Sequence, residues 1–212
     1  IPIFDLGPEY GMEGKTFFTA TNIYVTPTTL SGITMTFLLS LSGGLLSGYW
    51  VSKGDPFWTY SGGLAGIITA SAGNDLYHPL QSLIIAGIGT YIAYKMHYWV
   101  ERRFKIDDAV GAVAVHGYAG VVGLVICGFV LWGYPSSGYD GLGYAAINPI
   151  GMIIGAVIMF GVLGFLPGWI LAKILHGAGK LRIPREVELA GLDYNIMEAA
   201  SKDEKTVASA SR

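Results

Sequence analysis

The chain has 212 residues, of which 52% are hydrophobic and only 13% charged, with a formal net charge of −2. Soluble domains carry about 25% charged residues, so a soluble globular domain is excluded, and the near-neutral balance gives no sign of a nucleic-acid partner. Cys127 is the single cysteine, which excludes an intrachain disulfide and reads as a small packing residue.

The few charges are segregated. Asp, Glu, Lys and Arg are absent between Lys15 and Lys53, Asp55 and Asp75, Asp75 and Lys95, Asp108 and Asp140, and Asp140 and Lys173. Each gap is about 18 residues or longer, enough for a membrane-spanning helix. The expected class is an all-α membrane protein with five transmembrane helices.

Residues 1–25 are expected to form an extracytoplasmic segment, rich in turns and with Phe17, Phe18 and Tyr24 at the membrane interface. Ile1-Pro2-Ile3-Phe4-Asp5 lacks the basic region of a signal peptide and reads as a processed or cut end. The first helix is expected over 26–50, opening at Thr26-Pro27-Thr28-Thr29 and crowded with Ser and Gly. In lipid there is no hydrophobic drive between helices, so small residues that let backbones approach are the natural contact surface. The second helix is expected over 57–73, with Gly62 and Gly66 at Gly-xxx-Gly spacing. His78, before Pro79, reads as a solvated loop histidine.

The third helix is expected over 80–98, where Tyr94, His97, Tyr98 and Trp99 read as interfacial residues without chemistry. The fourth is expected over 108–132 and opens with Asp107-Asp108. His116 lies two turns into it, where an ionisable group is expensive unless a partner or a pore receives it. By helical spacing Ala112, His116, Gly120 and Gly123 share a face, with room beside the ring. A Gly/Ser/Tyr loop is expected over 136–144. The fifth helix is expected over 146–176, with Pro167 as a possible kink site and His176 at its end. These five make a transmembrane unit over 26–177, followed by a cytoplasmic tail over 178–212 whose last dozen residues read as disordered.

Orientation follows from the basic residues. With five spans, all of the 13 lysines and arginines except Lys15 fall on one side. That bias places the N-terminal segment outside and the tail in the cytoplasm, in a bacterial inner membrane or plasma membrane.

Three blocks resemble the ammonium transporter (Amt/Mep/Rh) family, specifically its C-terminal half. Ser61-Gly62-Gly63-Leu64-Ala65-Gly66-Ile67-Ile68 is similar to its S-G-x-x-A-G-L-V block. Asp107-Asp108, followed by His116-Gly117 and Gly120, is similar to its D-D…H-G-x-x-G signature. Leu181-Arg182-Ile183-Pro184, with Glu186, Glu188 and Ala190-Gly191-Leu192-Asp193, resembles its cytoplasmic tail. There are departures. Gly111 stands where the family often has a third Asp, and Ile196-Met197-Glu198 replaces a His-Gly-Glu.

The resemblance implies an eleven-helix fold, two inverted five-helix repeats plus a final helix, of which this chain carries the seventh to eleventh. It implies that His116 is one of a pair of pore-lining histidines and places Ser71 and Ala112 near the pore vestibule. It also implies trimers, a second chain carrying the N-terminal half, ammonium or ammonia as the transported species, and a cytoplasmic regulatory protein as a partner. Neither a cofactor nor a metal is expected, and no nucleophile–base pair or phosphate loop of an enzyme is recognisable.

The chemistry suits a histidine. Bare ammonium is costly to take through a narrow apolar pore; if the proton is stripped at the outer mouth, two imidazoles sharing one proton offer neutral ammonia a hydrogen-bonding track and the proton a relay. Asp107 and Asp108 are expected to be structural, capping the helix start and favouring its dipole. On the residues alone, His116 could equally be a polar packing residue bonded across helices. A non-conducting structural or ammonium-sensing subunit is the alternative function.

Overall fold

The computed structural model describes residues 30–134 and 146–191, in two compact units, Ile1–Gly161 and Val162–Arg212. Among the described residues the helices of the first unit are α1 (Leu30–Ser52), α2 (Pro56–Ala70), α3 (Pro79–Phe104), α4 (Ala119–Val130) and α5 (Pro149–Ala156). A 3₁₀ turn, Ser71–Gly73, extends α2, and a π-helical turn, Val113–Tyr118, leads into α4. A second π-helical stretch, Val157–Phe165, follows α5. The second unit holds α6 (Leu166–Gly177) and the short α7 (Arg185–Ala190), with an Arg182–Glu188 ion pair beside it. The expected N-terminal segment, the helix start at 26–29, the 136–144 loop and the tail beyond Gly191 lie outside the described residues.

The buried face of α1 is Leu30, Ile33, Thr36, Ser40, Gly43, Gly44 and Gly48, whereas Met35, Leu38, Leu46 and Trp50 are exposed. In water this helix would be inside out. In lipid it is the stable arrangement, with small residues at helix contacts and large apolar ones outside. The contact is tight: a Cβ on Gly44 would lie 2.3 Å from the Gly62 carbonyl oxygen of α2. Hydroxyls bridge the same interfaces. Thr90 of α3 donates to Gly62 O at 2.9 Å, Ser47 of α1 to Gly87 O at 2.8 Å and Ser82 of α3 to Thr36 O at 3.1 Å. Each satisfies a polar group that lipid cannot.

Helix ends follow local chemistry. Asp55 accepts from Trp58 N at 2.9 Å and Pro56 opens α2, a side-chain cap followed by a proline in the first turn. His78 caps α3: its Nδ1 accepts from Leu80 N at 3.2 Å, and Gln81 Oε1 accepts from His78 N at 3.0 Å. The helix α3 runs past the expected residue 98 to Phe104 and stops where Lys105 turns left-handed at φ 55°. Arg102 and Arg103 therefore sit in its last turn, where cations favour the helix dipole, rather than in a loop.

Among the described residues three helical stretches are long and apolar enough to cross a membrane: Leu30–Ser52, Val113–Val130 and Pro149–Gly177. The two remaining expected spans do not meet that measure. The helix α2 has 15 residues, against about 20 for a full crossing, and α3 carries Lys95, Glu101, Arg102 and Arg103. The most apolar window of Pro149–Gly177 is only 11% buried, so nearly all of its apolar side chains are exposed within this chain.

Candidate functional site

The fourth helical segment does not begin at residue 108. The connector from Lys105 leads to Gly111, whose φ of 69° is a left-handed conformation that glycine adopts freely. Gly111 N donates to Asp108 O at 2.8 Å, which closes a turn before the helix begins. The next turn, Val113–Tyr118, is π-helical and contains His116. Such turns are rare and often mark functional positions, because an extra residue per turn re-aims the side chains.

Two faces of this turn differ sharply. Val115 and Ala119 are buried against Ala65 of α2 and Ala93 of α3, with Ile68 packed alongside, and Ala114 is buried as well. His116, Ala112 and Val113 are exposed on the other side. The ring of His116 is thus directed away from the bundle that this chain builds. Of the residues expected to share its face, Ala112 is exposed as His116 is, whereas Gly120 is half-buried and Gly123 buried. A Cβ on Gly123 would lie 2.2 Å from Thr69 O, and one on Gly120 would lie 2.6 Å from Phe160 Cζ, so Thr69 and Phe160 fill those sides.

Asp108 is buried, and its carboxylate receives the open end of the turn. Oδ1 accepts from Val113 N at 3.0 Å and Oδ2 from Ala114 N at 3.1 Å. Asp107, by contrast, is exposed. Ser71 is exposed and donates back to Ile67 O at 2.6 Å. It adjoins Ala72, whose carbonyl accepts from Cys127 Sγ at 3.4 Å, toward the far end of α4 from Asp108. No hydrogen bond among the described residues joins Ser71 to His116.

One residue of the site escaped sequence reasoning. His97 is not an idle interfacial residue: it is 7% exposed and its Nδ1 lies 3.4 Å from Asp108 Oδ2. Its Nε2 lies 3.4 Å from Glu101 Oε1 one turn along α3. Its ring makes edge-to-face contacts with buried Trp58 at a centroid distance of 5.1 Å and with Tyr98 at 5.0 Å. The local signal was the His97–Glu101 spacing of four; the Asp108 contact crosses a chain reversal that sequence does not display. In the α2–α3 connector, burial pushes the Asp75 carboxyl above its ordinary range, offset in part by a backbone hydrogen bond.

Among the described residues no cluster of His, Cys, Asp and Glu could hold a metal ion. Among the described residues, all-helical elements, three stretches able to cross a membrane, small-residue helix contacts and an exposed histidine in an apolar segment define an α-helical membrane protein. The chain belongs to the Ammonium Transporter Family, whose model matches residues 12–201.

It is 30% identical to ammonium transporter Amt1 of Methanocaldococcus jannaschii over 211 residues, covering 97% of this chain and 51% of the relative. It is 35% identical to Amt2 of the same organism over 173 residues, covering 80% and 39%. It is 31% identical to Amt2 of Archaeoglobus fulgidus over 157 residues, covering 68% and 32%. All three relatives are named as transporters, not enzymes. The chain spans about half the length of Amt1 and less of the other two. No solved structure gives a significant match.

Proposed function

We propose that this chain forms the C-terminal half of a pore that carries ammonium or ammonia across a membrane. His116 is one of a pair of pore-lining histidines. A complementary N-terminal half, on a second chain or joined to this one, brings the other. The observation that carries this reading is the exposed His116 on a turn whose opposite face is buried. An ionisable ring in an apolar span, turned away from its own bundle, is where a partner wall would meet it. Family membership supports the substrate class, because the relatives are named as ammonium transporters.

On this reading α1 to α4, together with the Pro149–Gly177 segment, are five spans and correspond to the seventh to eleventh helices of the whole fold. The basic residues orient them with the N-terminal end outside and the tail in the cytoplasm. Asp107 and Asp108 serve the helix start, while Ala112 and Ser71 lie toward the pore vestibules. The assembly is a trimer of such units, and the tail offers a surface to a cytoplasmic regulatory protein.

The test is ammonium or methylammonium influx into liposomes carrying the complete assembly, against empty liposomes. Saturable influx supports the proposal. An assembly that binds ammonium without flux would make the chain a non-conducting sensing subunit instead.

A further inference from the structure

We propose that His97 is a positioning residue for the turn that carries His116: its Nδ1–H fixes the Asp108 carboxylate that receives the amides of that turn. The transport consequence rests on the pore reading of His116, while the structural consequence stands apart from it.

Asp108 lies outside any helix, in a connector bounded by left-handed residues at Lys105 and Gly111. Helical packing does not orient its side chain. Three contacts do: Val113 N at 3.0 Å, Ala114 N at 3.1 Å and His97 Nδ1 at 3.4 Å. The first two belong to the turn being held. His97 is the only one of the three that reaches Asp108 from another element. An ionised carboxylate only accepts, so the proposal requires the proton on Nδ1.

His97 is itself held firmly. Trp58, 2% exposed, meets its ring from α2, Tyr98 meets it from α3, and Glu101 faces its other nitrogen. The charged groups facing it are Glu101 from α3 and Asp108 from the connector. A continuous path therefore runs from Trp58 through His97 and Asp108 to the amides of Val113 and Ala114. It ties the aim of the π turn to the packing of α2 on α3. Amides at a helix start have no partner within the helix, so losing the acceptor's alignment loosens the whole turn.

The arrangement distinguishes the two ring nitrogens. Asparagine places an N–H donor near the position of Nδ1, glutamine near that of Nε2, and phenylalanine keeps the ring without a donor. The experiment uses the complete assembly in liposomes, with His97→Phe, His97→Asn and His97→Gln. Amide hydrogen exchange over 112–118 and ammonium flux are read together. We expect exchange to rise and flux to fall about tenfold in His97→Phe, His97→Asn to restore both to within about twofold, and His97→Gln to restore neither. Unchanged exchange in His97→Phe, or equal exchange in His97→Asn and His97→Gln, overturns the proposal. If His97→Phe does not assemble, the asparagine–glutamine comparison decides alone. Should His116→Ala conduct at the wild-type rate, the pore reading fails, and the exchange results still judge His97 by themselves.

Discussion

The carbonyl oxygen of Thr69 stands 2.2 Å from the point that a Cβ on Gly123 would occupy. Backbone meets backbone here, so neither side can yield by changing a rotamer. Ala65 and Val115 are buried together in the same α2–α4 region, with Ile68 beside them. Contact this close holds the His116 segment against the bundle, and it requires glycine on α4.

Gly123→Ala is therefore expected to destabilise the assembly by about 3 kcal/mol or more, the upper end of the range for overpacked cores. The check is thermal unfolding of the purified assembly in detergent, with Gly155→Ala as a control. No atom lies within 4 Å of a Cβ at Gly155. A Gly123→Ala assembly as stable as the Gly155→Ala control would contradict the close approach.

Trp58 ties α2 to α3 through edge contacts with Tyr94 at 5.0 Å and His97 at 5.1 Å, and it is 2% exposed. Trp58→Ala is expected to cost about 3–5 kcal/mol, whereas Trp50→Ala, on an exposed ring of α1, changes stability far less. Denaturant or thermal unfolding of the two variants side by side reads the difference.

Asp108→Ala removes the acceptor of two amides and of His97 together. Hydrogen bonds to a charged group contribute about 1.5–3 kcal/mol each. Loss of the folded assembly, or a stability loss in that range, is the expected outcome. Asp107→Ala, at an exposed neighbour, should leave the unfolding midpoint within about 0.5 kcal/mol of wild type.

Asp75 gives a pH dependence of definite sign. Burial raises its folded-state pKa, so ionisation in the folded state is penalised relative to the unfolded chain. The penalty is absent below the unfolded pKa, grows as pH rises through the window between the two values, and is full above the folded one. Asp75→Asn should therefore raise the melting temperature at neutral pH, and the gain should shrink toward pH about 4. A gain that grows on acidification would reverse the sign.

Gaps between charges marked the helices well, because lipid excludes ionised groups and the chain must carry them at its turns. Helix ends were harder to read. Glu101-Arg102-Arg103 looks like a loop, yet basic residues also suit a helix C-terminus, and the stop at Lys105 is a matter of backbone angle. Asp108 precedes the π turn in sequence order, but its contacts with Val113 N and Ala114 N come only from the fold. The π turn itself was not legible, since Val113–Tyr118 has no composition that separates it from an α-helix. Helical spacing put Gly120 and Gly123 beside His116, when they meet Phe160 and Thr69, neighbours that spacing along one helix does not reveal. His97 was hidden for a different reason: its partner Asp108 arrives through a chain reversal, and a buried histidine among aromatics looks the same on paper as an interfacial one.

The central claim is that His116 works in a pore, and flux through His116→Ala tests it most directly. The complete assembly, wild type and variant, is placed in liposomes at matched protein content and ammonium influx is timed. The account predicts equal assembly and a fall in influx of about a hundredfold, the scale of losing a proton-transferring side chain. Influx at the wild-type rate would contradict it.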